Sequence, residues 1–182
     1  LKDFTVTQEV IEDAIEAVKA LRAQPGIDPK RVFVLGHSLG GMLIPRIGLA
    51  DPTIAGLIVL AGPARPLEEA IVVQTRYLAM ADGTISIEEQ QAIDQVTAIA
   101  NTVRALKTEE ATSGRMISGA PASYWLDLRG YDPPSEGTRV KAPMLILHGE
   151  RDYQVTVEEL GRWKAALDSR RDVTVRSYPA LN

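Results

Sequence analysis

Two short stretches of this chain are apolar almost throughout, and each stands next to a segment of helical periodicity. Arg31-Val32-Phe33-Val34-Leu35 and Ile54 to Ala61 (IAGLIVLA) have strand length. Neither shows the period-2 polarity of a strand with one wet face. A helix is expected before the first, where Val10, Ala14, Ile15, Val18 and Leu21 fall at helical spacing and Gln24-Pro25-Gly26 stops the run. Another is expected between the two, from Leu39 to Ala50, ended by Asp51-Pro52. Apolar strands alternating with helices read as a parallel sheet covered on both faces.

The rhythm breaks and then returns. Residues 64–138 hold no convincing strand but two helical stretches, Glu68 to Met80 and Glu88 to Lys107. The second opens on Ser86 with Glu89 three residues on, a capping box in which each side chain satisfies an orphan N–H of the other's backbone. Gly, Pro and Ser then thicken through SGAPAS and YDPPSEG into a loop-rich exit. From residue 139 strand and helix alternate again: Met144 to His148 as a strand, Val157 to Leu167 as a helix, Val173 to Tyr178 as a strand. The expected organisation is a core of residues 1–63 and 139–182 interrupted by a helical insertion, 64–138.

Composition excludes several classes. The 182 residues carry 20 Lys and Arg against 24 Asp and Glu, a formal charge of −4 without a basic cluster, which is a poor footprint for a nucleic-acid binder. No Cys is present, so disulfides, thiolate metal sites and a Cys nucleophile are excluded. No apolar run approaches the ~18 residues of a membrane span. Two features only mimic function. Asp82-Gly83-Thr84-Ile85 with Glu89 looks like half of an EF-hand loop, but Leu78 and Met80 occupy the positions of its first acidic ligands. The pairs Glu68-Glu69, Glu109-Glu110 and Glu158-Glu159 lie in helical stretches and read as solvated faces.

The chemistry concentrates in Gly36-His37-Ser38-Leu39-Gly40-Gly41, a G-x-S-x-G directly after a strand and directly before a helix. A serine on such a tight turn projects its hydroxyl free of the sheet, and the flanking glycines let neighbouring backbone pass. The N–H groups of the following helix stand where an oxyanion would develop, that of Leu39 first among them. His37 adjoins the serine but points to the other side of the turn, so it reads as packing and turn support rather than as a base. His148, at the end of its strand, reads as a satisfied core histidine or one standing behind the site.

These residues resemble the α/β-hydrolase family over nearly the whole chain. GHSLGG is similar to the nucleophile elbow of its esterases, lipases and related serine hydrolases, whose triad runs in the order Ser, Asp or Glu, His. Gly149-Glu150-Arg151-Asp152-Tyr153-Gln154-Val155 resembles the stretch that carries the family's acid after the penultimate core strand. The resemblance therefore implies Ser38 as nucleophile, Asp152 as the carboxylate that orients the base, and the Leu39 N–H as an oxyanion donor. Family histidines follow a phrase much like Tyr178-Pro179-Ala180-Leu181-Asn182, so the base is expected just beyond Asn182.

By the same resemblance the four readable strands are the last four of about eight. The fold expected is the C-terminal half of an α/β-hydrolase parallel sheet, helices on both faces, with an inserted helical cap. Ser123-Tyr124-Trp125-Leu126-Asp127-Leu128-Arg129 resembles a segment of capped hydrolases grouped with serine aminopeptidases and dienelactone-type hydrolases, and Tyr124 and Trp125 are candidates for lining a substrate pocket. The implied activity is hydrolysis of a carboxylic ester, or an amide or short peptide, without a metal or organic cofactor. The chain reads as a fragment, inactive as it stands, and an alternative is a hydrolase-like binding module. The nucleophile strand is expected at a bare edge that invites self-association.

Overall fold

The computed structural model describes residues 3–182. The chain divides into two compact units. One contains Gln8–Ala64 and Asp132–Asn182; the other is Arg65–Tyr131 with the segment that ends at Thr7.

The first unit is built on a four-stranded parallel sheet: β1 (Phe33–His37), β2 (Gly56–Leu60), β5 (Met144–Gly149) and β6 (Val173–Tyr178), in the order β1-β2-β5-β6. The register pairs Leu35 with Ile58, Ile58 with Leu145 and Leu147 with Arg176. One face of the sheet is sealed. Leu57, Val59 and Ile146 are buried there, together with α2 (Leu39–Ala50), in which Met42, Leu43 and Ile44 are fully enclosed. A helix apolar on all sides is a core helix, and α2 tolerates Pro45 in its interior. Its approach is close: a Cβ on Gly48 would stand 2.4 Å from Leu57 Cδ1. The α7 helix (Val157–Leu167) contributes Leu160, Trp163 and Leu167 to the same core.

The other sheet face differs from the expectation of helices on both sides. Phe33 and Leu35 are each 55% exposed, and Thr174 and Arg176, on β6 at the opposite edge, are exposed on the same face. An apolar run shows that a strand prefers burial, and it does not show that nearby chain covers both faces. As expected, β1 lies at an edge, hydrogen-bonded to β2 alone among the described residues.

Chain entry is more irregular than the periodicity suggests. A π-helical turn, Thr7–Glu12, precedes α1 (Asp13–Arg22). Arg22 then ties α1 to the end of α2, its guanidinium 2.7 Å from the Asp51 carboxylate. The short α6 helix (Pro133–Gly137) lies where YDPPSEG reads as loop and belongs to the sheet unit. Asp132 caps it by accepting the Ser135 N–H at 3.1 Å, and Pro133 occupies the first helical position, where no N–H is needed.

The second unit pairs α3 (Leu67–Ala79) with α4 (Ile87–Ala105). The Ser86–Glu89 capping box forms in both directions. A strand hairpin follows that the sequence reading lacks, β3 (Met116–Ile117) with β4 (Ala120–Pro121), turned by Ser118 and Gly119 at φ 48° and 84°. It leads into α5 (Ala122–Leu128), whose Trp125 packs with Val103, Leu106 and Ile117. No helix among the described residues is long and apolar enough to cross a membrane.

Candidate active site

The turn between β1 and α2 places Ser38 at φ 54° and ψ −119°, a backbone conformation that costs a non-glycine residue strain. Its N–H donates to the Leu60 carbonyl at 3.0 Å, and its own carbonyl accepts the Met42 N–H at 2.9 Å. The side chain does not cap the helix it precedes, so Oγ is uncommitted among the described residues. Leu39 is the first residue of α2, where helix geometry offers its N–H no carbonyl.

Two glycines make this turn sterically feasible. A Cβ on Gly36 would meet the Gly40 carbonyl oxygen at 2.2 Å, and one on Gly41 would lie 3.0 Å from both the Gly36 oxygen and the Gly62 Cα. Gly40 is different, because a Cβ there meets nothing within 4 Å. The last glycine of the G-x-S-x-G pattern therefore borders open space, and Gly41 does the packing.

Asp152 lies beyond the end of β5. Its Oδ1 accepts the N–H groups of Gln154 at 2.8 Å and Val155 at 2.9 Å, while Oδ2 takes no hydrogen bond among the described residues. Ser38 and Asp152 thus both stand at carboxyl ends of parallel strands, the usual location of sites in such sheets. They make no direct hydrogen bond. One strand, β2, separates theirs, about 10 Å by strand spacing, which leaves room for a ring between them. The last residues of β6's exit run along the acid loop: the Arg151 N–H donates to the Leu181 carbonyl at 2.9 Å, and a Cβ on Gly149 would lie 2.9 Å from the Asn182 Cα.

The histidines depart from expectation. His37 is exposed rather than packed. His148 is 2% exposed, and its Nε2 has no hydrogen-bond partner among the described residues. Burial pushes its pKa below the ordinary 6.5, against the pull of the Asp152 carboxylate, the Val155 backbone and the carboxylates of Glu159 and Glu150. Tyr124 and Trp125 belong to the helical unit and not to the unit that carries Ser38 and Asp152. Trp125 is 4% exposed and donates its indole N–H to the Ile117 carbonyl at 2.9 Å. Tyr124, 6% exposed, packs edge-on against Phe4 with ring centres 5.6 Å apart.

Glu159 escaped the sequence reading, where Glu158-Glu159 passes for a solvated pair. It is 3% exposed, and its carboxylate accepts the Ala64 N–H at 2.6 Å. The apolar stripe of α7 signals which face is inward, but nothing local signals a partner 95 residues away.

A parallel α/β sheet with a strained serine between strand and helix, followed two strands away by an acid, is the architecture of the α/β hydrolases. The model of one of their families, the serine aminopeptidases S33, matches residues 3–182, and the chain belongs to that family. It is 42% identical over 180 residues to the esterase EstD of Thermotoga maritima, covering 98% of this chain and 40% of that protein. To the monoacylglycerol lipase of Mycolicibacterium smegmatis it is 27% identical over 153 residues, 82% of this chain and 54% of the lipase. Among solved structures, the proline iminopeptidase of Mycobacterium smegmatis superposes with a TM-score of 0.59 at 20% identity, covering 100% of this chain and 66% of that one. The Pyrococcus furiosus esterase PF2001 does so with a TM-score of 0.56 at 17% identity, covering 97% and 54%. The chain therefore spans about half the length of the curated relatives it matches.

Proposed function

We propose that this chain carries the nucleophile and the acid of a serine hydrolase that cleaves carboxylic esters, with amides and short peptides as the secondary substrate class. The observation that supports this most is Ser38 held at positive φ, its hydroxyl uncommitted, beside the open N–H of Leu39. Ser38 Oγ attacks the acyl carbon while a histidine takes its proton, and the Leu39 N–H donates to the developing oxyanion. The proton passes to the leaving alcohol as the ester C–O bond breaks. Water then attacks the acyl-enzyme, giving up a proton to the same histidine, which returns it to Ser38 as the carboxylic acid departs.

The base is assigned to a histidine following Asn182. The path of Leu181 and Asn182 along the Gly149–Arg151 backbone supports this, because chain continuing from Asn182 emerges beside Asp152. Asp152 Oδ2 then holds that imidazole in the tautomer that accepts from Ser38. The helical unit takes the part of the family's inserted cap, and Tyr124 and Trp125 pack inside it. The esterase and lipase relatives support the ester preference. The bare β1 edge supports self-association of the isolated 182-residue chain.

Intact-mass spectrometry with a fluorophosphonate probe tests the reading. A polypeptide that continues past Asn182 takes one adduct, on Ser38, and Ser38→Ala takes none while melting at an unchanged temperature. A folded full-length protein that takes no adduct overturns it and favours a hydrolase-like binding module.

A further inference from the structure

The α7 helix does more than cover the sheet. Its inward residues Glu159 and Trp163, one helical turn apart, both reach the chain leaving β2. The Trp163 indole N–H donates to the Gly62 carbonyl at 2.8 Å, and the Glu159 carboxylate accepts the Ala64 N–H at 2.6 Å. At 1% and 3% exposure, neither bond is open to replacement by bulk water. The segment they hold is strained, with Ala61 at φ 47°, and such a conformation persists only where its surroundings over-determine it.

That segment is also the wall against which the nucleophile turn is built. The residue before Ala61, Leu60, accepts the Ser38 N–H, and the residue after it, Gly62, lies so close to α2 that a Cβ there would stand 2.8 Å from the Gly41 carbonyl carbon. Ala61 itself donates to the Leu147 carbonyl at 3.0 Å, which anchors the segment to β5. A shift of the Leu60–Ala64 backbone is therefore passed to Ser38 and Leu39 with no soft side chain between.

We propose that Trp163 and Glu159 are positioning residues for the nucleophile turn, fixing the Ser38 hydroxyl and the Leu39 N–H by clamping the β2 exit. The proposal rests on the serine-hydrolase reading above. Neither residue touches the substrate. Their effect falls on the step in which the oxyanion forms, where small displacements of reacting groups are expensive.

The test uses the full-length protein. Trp163→Phe keeps a ring in place and removes the donor; Glu159→Leu removes the acceptor, and Glu159→Gln keeps an acceptor oxygen. With p-nitrophenyl acetate, kcat falls about 10- to 100-fold in Trp163→Phe and Glu159→Leu with KM unchanged, and Glu159→Gln stays near the parent. Fluorophosphonate labelling slows in step. Amide hydrogen exchange supplies a readout independent of turnover: the Ser38 and Ala61 amides exchange faster in Trp163→Phe, while the Glu150 amide, bonded to the Tyr178 carbonyl at 3.0 Å, keeps its parental rate. Parental kcat in a Trp163→Phe protein of lowered melting temperature overturns the proposal, and so does unchanged Ser38 exchange. If the parent itself neither turns over ester nor labels, the serine-hydrolase reading falls, and the Ser38 exchange rates still decide whether α7 positions the turn.

Discussion

A Cβ on Gly36 would stand 2.2 Å from the carbonyl oxygen of Gly40. Strand end and helix start thus touch backbone to backbone on either side of Ser38, and the two glycines of the pattern are not equivalent. Gly36→Ala forces the turn apart and is expected to cost several kcal/mol, since no flexible side chain can yield. Gly40→Ala meets nothing within 4 Å and gains helix propensity, so its stability should equal the parent's or exceed it by up to about 1 kcal/mol. Urea unfolding of the two variants decides this, and equal destabilisation would contradict it.

In the proposed mechanism Asp152 divides its carboxylate between two tasks, and substitution separates them. Oδ1 secures the Gln154 and Val155 amides, and Oδ2, which takes no hydrogen bond among the described residues, is open to the proposed base. Asp152→Asn can keep the turn, because an amide oxygen accepts the same two N–H groups. It loses the charge that stabilises the imidazolium. The expected result is an unchanged melting temperature with kcat down roughly 10³- to 10⁴-fold. Asp152→Ala should lose both activity and stability. A full-rate Asp152→Asn enzyme would remove Asp152 from the proposed triad.

The residues legible in sequence and those that were not differ in how far away their reasons lie. The places of Ser38, Leu39 and Asp152 at strand ends could be read because each is set locally, by a strand, a turn and the next helix. The bounds of α2, α7 and β6 could be read for the same reason: each is set by its own periodicity and its own stop signal. Glu159 and Trp163 act on residues 95 and 101 positions away, and no pattern within α7 announces that. The loop-rich exit misled for another reason. Pro133 and Asp132 are helix-start residues as much as loop residues, and Ser118-Gly119 turns a two-residue hairpin too short to show alternation. The uncovered sheet face was illegible because an apolar strand looks the same whichever part of the chain, or which partner, covers it.

His148 sets an acid limit to stability. Burial holds its imidazole neutral in the native state, while in the unfolded chain it takes a proton near pH 6.5. Unfolded protein therefore binds more protons below that pH, and stability falls as pH drops from 6.5 toward the lower native pKa. The slope for one such proton is at most about 1.4 kcal/mol per pH unit. Asp152, Glu159 and Glu150 oppose burial and narrow the window without reversing the sign. His148→Asn lacks this component, so the stability gap between parent and variant, from urea unfolding at pH 7.5 and at pH 5.5, should shrink at the lower pH. An identical gap at both would show that His148 does not titrate across unfolding.

The edge position of β1 carries the last prediction. Its outer backbone groups have no partner strand among the described residues, and its side chains Phe33 and Leu35 are each 55% exposed on the open sheet face. Exposed apolar edges of this kind pair with other chains. The isolated 182-residue chain should therefore sediment as dimers or larger species at micromolar concentration. Replacing Phe33 and Leu35 with Lys breaks the apolar patch and places charge on the edge, the device natural sheets use to stay apart. That variant should sediment as a monomer with Ser38 still between strand and helix, since both side chains point away from the buried face that α2 packs against. A monomeric parent chain would show that exposed apolar area on this edge is too small to drive association.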